Sequence, residues 1–170
     1  MPGPLDGFRI LEVSELISAP LGVMMLAEQG AEVIKVEPPR HGDEARQLAN
    51  YRAGMAGLYL TSNHEKRSIG IDLKKPEGKA LFDELLATAD VFVSNLREKA
   101  NERLGLGCQQ ILERYPAMVI GRVTGYGRYG PDQDLPAYEP TAFWARGGVA
   151  ESHRSCEPPI PFPCASVSLT

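Results

Sequence analysis

Three glycines stand close together in "VTGYGRYGPDQD": Gly125, Gly127 and Gly130, spaced G-x-G-x-x-G behind an apolar run. That spacing lets a backbone approach a pyrophosphate, whose oxygens then sit on the free N–H groups opening a helix. The segment after Gly130 does not supply that helix. It reads "PDQDLP", with Pro131 and Pro136 and no apolar period, and Asp132 and Asp134 would repel a phosphate. The glycines are therefore read as turn geometry, and Asp132, Asp134 and Glu139 as a solvated acidic loop. Two basic groups could hold an anion. Lys66, Arg67, Lys74 and Lys75 flank one apolar run, and Arg97, Lys99 and Arg103 follow another. Arg97 and Arg103 either meet a phosphate beyond a strand's carboxyl end or share a solvated helix face with Glu98 and Glu102. Glu37 closes a strand where a dinucleotide fold keeps a ribose-binding acid, but no glycine loop accompanies it.

Other chemistries find no framework. There is no G-x-S-x-G and no Ser-His-Asp order. His41, His64 and His153 lack metal-ligand spacing, so no metal site is expected. Cys108, Cys156 and Cys164 are odd in number without a C-x-x-C, which fits a reducing, cytoplasmic setting better than a disulfide scaffold. The net charge of −4 gives no global attraction to nucleic acid or to anionic membrane, and neither is expected as a partner. No apolar run approaches the roughly 18 residues of a membrane span, and no signal peptide is visible.

The elements that must position these residues follow from periodicity. The 170 residues are 43% apolar and 24% charged, ordinary for a soluble globular domain. "FRILEV" reads as a strand, "PLGVMMLAEQG" as a helix stopped at Gly30, and "AEVIKVE" as a second strand. That is a βαβ unit and implies a parallel sheet. Residues 40–57 read as loop with a short helix. "RSIGIDL", "VFVSN" and "AMVIGRVTG" read as further strands. "KPEGKALFDELLATAD" reads as a helix with Leu81, Leu85 and Leu86 toward one side; "REKANERLGLG" and "CQQILERYP" read as shorter helices. The alternation predicts an α/β fold: a Rossmann-like, open, mostly parallel sheet with flanking helices. From Glu151 the chain becomes rich in Pro, Ser and Cys and reads as extended coil.

Four segments in order, "PLDGFRILEVSELISAPLGVMMLAEQGAEVIKVEPP", "NHEKRSIGIDLKKPEGK", "ADVFVSNLREKANERLGLG" and "YPAMVIGRVTGYGRYGP", resemble the N-terminal part of family III CoA transferases. This CaiB/BaiF type includes formyl-CoA and carnitine CoA transferases and the related α-methylacyl-CoA racemases. The resemblance runs from Pro4 to Gly148. It implies a Rossmann-like CoA-binding domain over residues 1–150, incomplete against the family fold, with 151–170 a tail and not a domain. It implies coenzyme A as a substrate, no metal, acyl-CoA and a carboxylic acid as partners, and interlocked homodimers. In the family an aspartate attacks the acyl-CoA carbonyl. A mixed anhydride forms, CoA thiolate leaves and returns, and the acceptor acid takes over the CoA. Glycine N–H groups stabilise the oxyanions.

Carried over by position, Leu16, Ile17 and Ser18 match the family turn that touches CoA. Ile71 matches a strand position beside the adenine, and Asn95, Leu96, Ala100 and Arg103 match positions lining the nucleotide and phosphates. Pro38 stands where certain members carry an arginine, with Arg40 the substitute; Pro136 replaces a lysine. Tyr138 stands where the racemases carry a histidine, which disfavours racemisation. The catalytic aspartate is expected near Val167, and no aspartate follows Asp134. The expectation is a CoA transferase moving CoA between carboxylic acids, with this chain a truncated and catalytically incomplete fragment arising from a frameshift or a premature stop near Arg154. The alternatives are a non-catalytic CoA-binding module or an inactive fragment.

Overall fold

The structure, a computed structural model, describes residues 3–48, 51–138 and 140–149. β1 (Arg9–Val13), β2 (Glu32–Glu37), β5 (Lys66–Gly70), β6 (Val91–Ser94) and β7 (Val119–Arg122) form one sheet in the order β5-β2-β1-β6-β7. Every pairing in it is parallel. The α/β architecture expected from the alternation of strands and helices is thus present. Both faces are covered, so β1 and β6 read as near-continuous apolar runs. On one face, Ala19, Val23 and Ala27 of α1 (Ser18–Ala27) pack with Ile10, Val33 and Val93. On the other, Phe82 and Leu86 of α3 (Pro76–Leu86) and Ile111 of α5 (Cys108–Arg114) pack with Leu11, Val13, Val36 and Phe92. The Phe82 and Phe92 rings meet edge to face, 6.2 Å apart.

α3 corrects one detail of the sequence reading. Leu81 is exposed, and Phe82 and Leu86 carry the burial, with Leu85 packed at the margin of the core. Residues four apart share a helix stripe, whereas Leu81 falls about 100° around from Phe82. Pro76 does open α3, and Gly105 closes α4 (Glu98–Leu104) at φ 76°. Sequence reading also missed a hairpin, β3 (Tyr51–Arg52) and β4 (Met55–Ala56), and the helix α2 (Gly57–Asn63) that follows it. Ala53 and Gly54 both have positive φ, the geometry a two-residue hairpin turn requires. α2 was hidden because "GLYLTSN" is built of weak helix formers, Gly57, Thr61, Ser62 and Asn63 among them, with no capping side chain and no charge at either end.

The chain divides into two compact units, one ending at Val123 and one beginning at Thr124. In the second, Gly127 and Gly130 lie at φ 82° and 101°, and turns occupy 131–134. A Cβ on Gly125 would run into that of Ala137. No helix opens on Gly130, so these glycines serve turns and close approach, as the sequence indicated. A π-helical segment, Pro140–Arg146, follows, and Arg146 pairs with Asp132 while lying 5.2 Å from the Tyr126 ring. Cys156, Cys164, His153, Arg154 and Val167 lie outside the described residues, as does the tail expected over 151–170.

Candidate functional site

From β1 the chain moves outward through β2 to β5, then returns across β1 to β6. The direction of winding therefore reverses between β1 and β6. In open parallel sheets, ligands bind in the crevice beyond the carboxyl ends of the strands at such a reversal. Two turns border it here, residues 14–17 after β1 and 95–97 after β6. They are tied to each other. The Glu15 N–H donates to Asn95 Oδ1 at 3.0 Å, and Asn95 Nδ2 donates to the Glu15 carbonyl at 2.7 Å.

The β1 turn has an unusual backbone. Leu16 sits at φ 66°, in the left-handed region, which costs a non-glycine residue about 1–2 kcal/mol. Its N–H donates to Asp43 Oδ1 at 2.9 Å. Asp43 also accepts from Ala45 N at 2.8 Å and pairs through Oδ2 with Lys35 Nζ at 2.7 Å. Glu12, Lys35 and Asp43 are fully buried. Lys35 donates further to the Ser14 carbonyl at 3.0 Å and lies 3.5 Å from Glu12 Oε1, while Lys66 meets Glu12 Oε2 at 2.8 Å. Burial pushes the Lys66 ammonium down from its usual pKa, and the Glu12 carboxylate opposes that. Glu15 is raised, first by burial and then by the charges of Glu44 and Asp43.

The second turn is held as firmly. Ser94 and Asn101 are fully buried; Ser94 Oγ donates to Asn101 Oδ1, and Asn101 Nδ2 donates to the Leu96 carbonyl at 2.7 Å. Arg122 Nη2, from β7, donates to the same carbonyl at 3.2 Å and to Glu98 Oε2 at 2.9 Å.

The structure brings Leu16, Ile17 and Ser18 together with Asn95 and Leu96 at this crevice. Ile17 precedes α1 and is exposed, and Ser18 is its first residue. Ala100 and Arg103 lie on α4, which leads away from the second turn; Arg103 is exposed in its last turn and makes no hydrogen bond or ion pair among the described residues. Arg40 is exposed in the turn after β2. Ile71 lies just past β5 within the hydrophobic core, 4% exposed, and its N–H donates to the Glu37 carbonyl. Among the described residues, no group of three or more His, Cys, Asp or Glu could hold a metal ion.

Glu37, set aside as a ribose ligand for want of a glycine loop, is committed within the fold: Arg46 grips both its oxygens, and Tyr59, Ser68 and the Asp43 N–H add further bonds. Among the basic residues flanking β5, Lys66 is already committed: its side chain is 1% exposed and its ammonium is spent on Glu12, Asn63 and the Pro20 carbonyl. Sequence reasoning missed Asp43, Lys35 and Glu12 as supports of the first turn. The available signal was charge inside strands otherwise apolar on both faces, Glu12 in "RILEV" and Lys35 in "EVIKVE".

Replacing Asn95 by alanine would leave the Glu15 N–H and carbonyl unpaired. The expected loss is about 1–3 kcal/mol in urea unfolding, and an unchanged midpoint would refute the tie between the turns.

Residues 5–165 match the model of "CoA-transferase family III". The chain is 37% identical to the (R)-2-hydroxy-4-methylpentanoate CoA-transferase of Clostridioides difficile over 153 residues, which are 87% of this chain and 38% of that protein. It is 40% identical to the cinnamoyl-CoA:phenyllactate CoA-transferase of Clostridium sporogenes over 150 residues, 85% of this chain and 36% of that one. A crystal structure of a CAIB/BAIF family protein from Brucella suis superposes with a TM-score of 0.80 at 30% identity, covering 88% of this chain and 40% of that one. The chain thus spans well under half the length of these relatives.

Proposed function

The chain belongs to CoA-transferase family III, and from that premise we propose that it binds coenzyme A in the crevice between the carboxyl ends of β1 and β6. The observation that carries this reading is the reciprocal Glu15–Asn95 pair, which fixes two turns at the point where the sheet reverses its winding. The Leu16–Ser18 turn offers its backbone, the exposed Ile17 side chain and the Ser18 hydroxyl to the ligand, and Arg103 offers a guanidinium not committed elsewhere among the described residues. Arg40 is a second such group for the adenine end.

The reaction proposed is transfer of CoA between carboxylic acids, in the soluble phase and within a homodimer of the family type. A carboxylate attacks the thioester carbonyl, a mixed anhydride forms as the C–S bond breaks, and CoA leaves as thiolate; the thiolate returns to the attacking group's own carbonyl, which frees the donor acid and leaves CoA as a thioester on that group, and the acceptor acid takes over CoA through a second anhydride. The described residues supply binding and orientation in this scheme. A second reading is that the given residues bind CoA without transferring it, since they span only 38% and 36% of the two transferases they match.

Calorimetric titration with CoA, followed by a thioester-exchange assay on the same preparation, separates the outcomes. Binding with exchange supports the transferase, binding alone supports the second reading, and no heat of binding refutes both. Arg103→Ala is expected to raise the CoA Kd about tenfold, the loss of one charge-assisted phosphate contact, while leaving the thermal midpoint within error. An unchanged Kd would remove Arg103 from the site.

A further inference from the structure

We propose that Asp43, clamped by Lys35, is a positioning residue that presets the Leu16 turn for coenzyme A; this rests on the crevice between β1 and β6 being the CoA site. Asp43 lies 27 residues from Leu16 in sequence and does not border the crevice turns in the chain. Its carboxylate nonetheless divides its two oxygens with clear purpose. Oδ1 takes the N–H of Leu16 at 2.9 Å and of Ala45 at 2.8 Å, and Oδ2 lies 2.7 Å from Lys35 Nζ as an ion pair. Capping the short turn over Glu44–Arg46 requires only the Ala45 bond. The remaining bonds join a strained turn to a buried charge.

The clamp is itself held from behind. The Asp43 N–H donates to Glu37 Oε2 at 2.7 Å, and Gly42 precedes it at φ 67°, where a Cβ would lie 2.7 Å from that same oxygen. Lys35 donates to the Ser14 carbonyl and to Glu12 and forms an ion pair with Asp43, so its ammonium links the end of β1 to Asp43. Ser14 and Leu16 are thereby fixed on either side of Glu15, whose own backbone is paired to Asn95. A left-handed leucine in a free turn would relax to ordinary backbone geometry. Held this way, the turn keeps its ligand-facing shape before the ligand arrives, and binding does not bear the cost of ordering it.

The test uses the full chain carrying Lys35→Met, which removes the buried ammonium while Glu12 keeps Lys66 and Ser14 as partners. In that background Asp43→Asn retains an oxygen acceptor for Leu16, and Asp43→Ala retains none. Within that background Asp43→Asn is expected to bind CoA at least about tenfold more tightly than Asp43→Ala, at a temperature where both are folded by circular dichroism. Equal CoA affinity of the two variants would overturn the proposal. A measurement on the wild-type chain needs no variant to fold: the Leu16 amide is expected to exchange with deuterium more than about tenfold slower than an unstructured amide, with or without CoA. Exchange at the unstructured rate would overturn it too. Failure of the wild-type chain to bind CoA would instead refute the CoA site, and the Leu16 exchange rate would still decide whether Asp43 presets the turn.

Discussion

Glu12→Gln is expected to cost about 3–5 kcal/mol of folding stability at neutral pH, the penalty for removing one partner of a buried ion cluster. Glu12 is fully buried and faces two ammoniums, Lys66 at 2.8 Å and Lys35 at 3.5 Å. Lys35 keeps Asp43 in the variant, but Lys66 is left with the neutral Asn63 and Pro20 oxygens. The effect has a pH signature that simple loss of packing would not give. Burial already holds Lys66 below its unfolded value of 10.5, and Glu12 opposes that shift. Without Glu12 the folded state binds fewer protons than the unfolded state over a wider range, so stability of the variant rises with pH toward 10.5. Urea midpoints measured from pH 7 to 10 check this, and adding Lys66→Met is expected to restore most of the loss. A midpoint for Glu12→Gln that equals the wild type, or that stays flat with pH, would contradict the buried cluster.

Acid unfolding is expected to draw on Glu37. Burial alone would raise its pKa, but hydrogen bonds from Arg46, Ser68, the Asp43 N–H and Tyr59 outweigh this and hold it at about 2, against 4.5 unfolded. A carboxylate depressed in the folded state stabilises it fully above the unfolded pKa and loses that contribution as pH falls toward the folded one. The contribution is about 3 kcal/mol, lost between about pH 4.5 and 2. Glu37→Gln should therefore be less stable by a similar amount at pH 7 and should lose stability less steeply across that acid window. The same charge and burial raise the Tyr59 hydroxyl, burial first, so Tyr59 stays a donor to Glu37 throughout the working range. Parallel acid limbs for wild type and Glu37→Gln would remove Glu37 from the account.

The sheet was legible because its strands are short apolar runs and its helices carry punctuation. Pro76 at one helix start and the glycines at 30 and 105 place boundaries within two or three residues. The clustering of Leu16–Ser18 with Asn95 and Leu96 was legible only through family resemblance, since nothing in either stretch states that β1 and β6 are neighbours. What stayed hidden is the supporting layer. Asp43 lies in a polar loop where an aspartate ordinarily means solvent, and its partner Leu16 carries no sign that its φ is positive. Long-range bonds between unremarkable residues leave no periodic trace. The buried Glu12–Lys35 pair did leave one, because a charge in a strand covered on both faces must find a counter-charge.

Coenzyme A binding in the crevice between β1 and β6 is tested most directly by heteronuclear amide spectra of the isotope-labelled chain, recorded with and without CoA. Shifts are expected to concentrate at Ser14–Ser18, at Asn95–Arg97 and along α4 at Ala100 and Arg103, while the far ends of the strands, Arg9 and Glu32, stay unmoved. Shifts centred elsewhere, or none at saturating CoA, would contradict it.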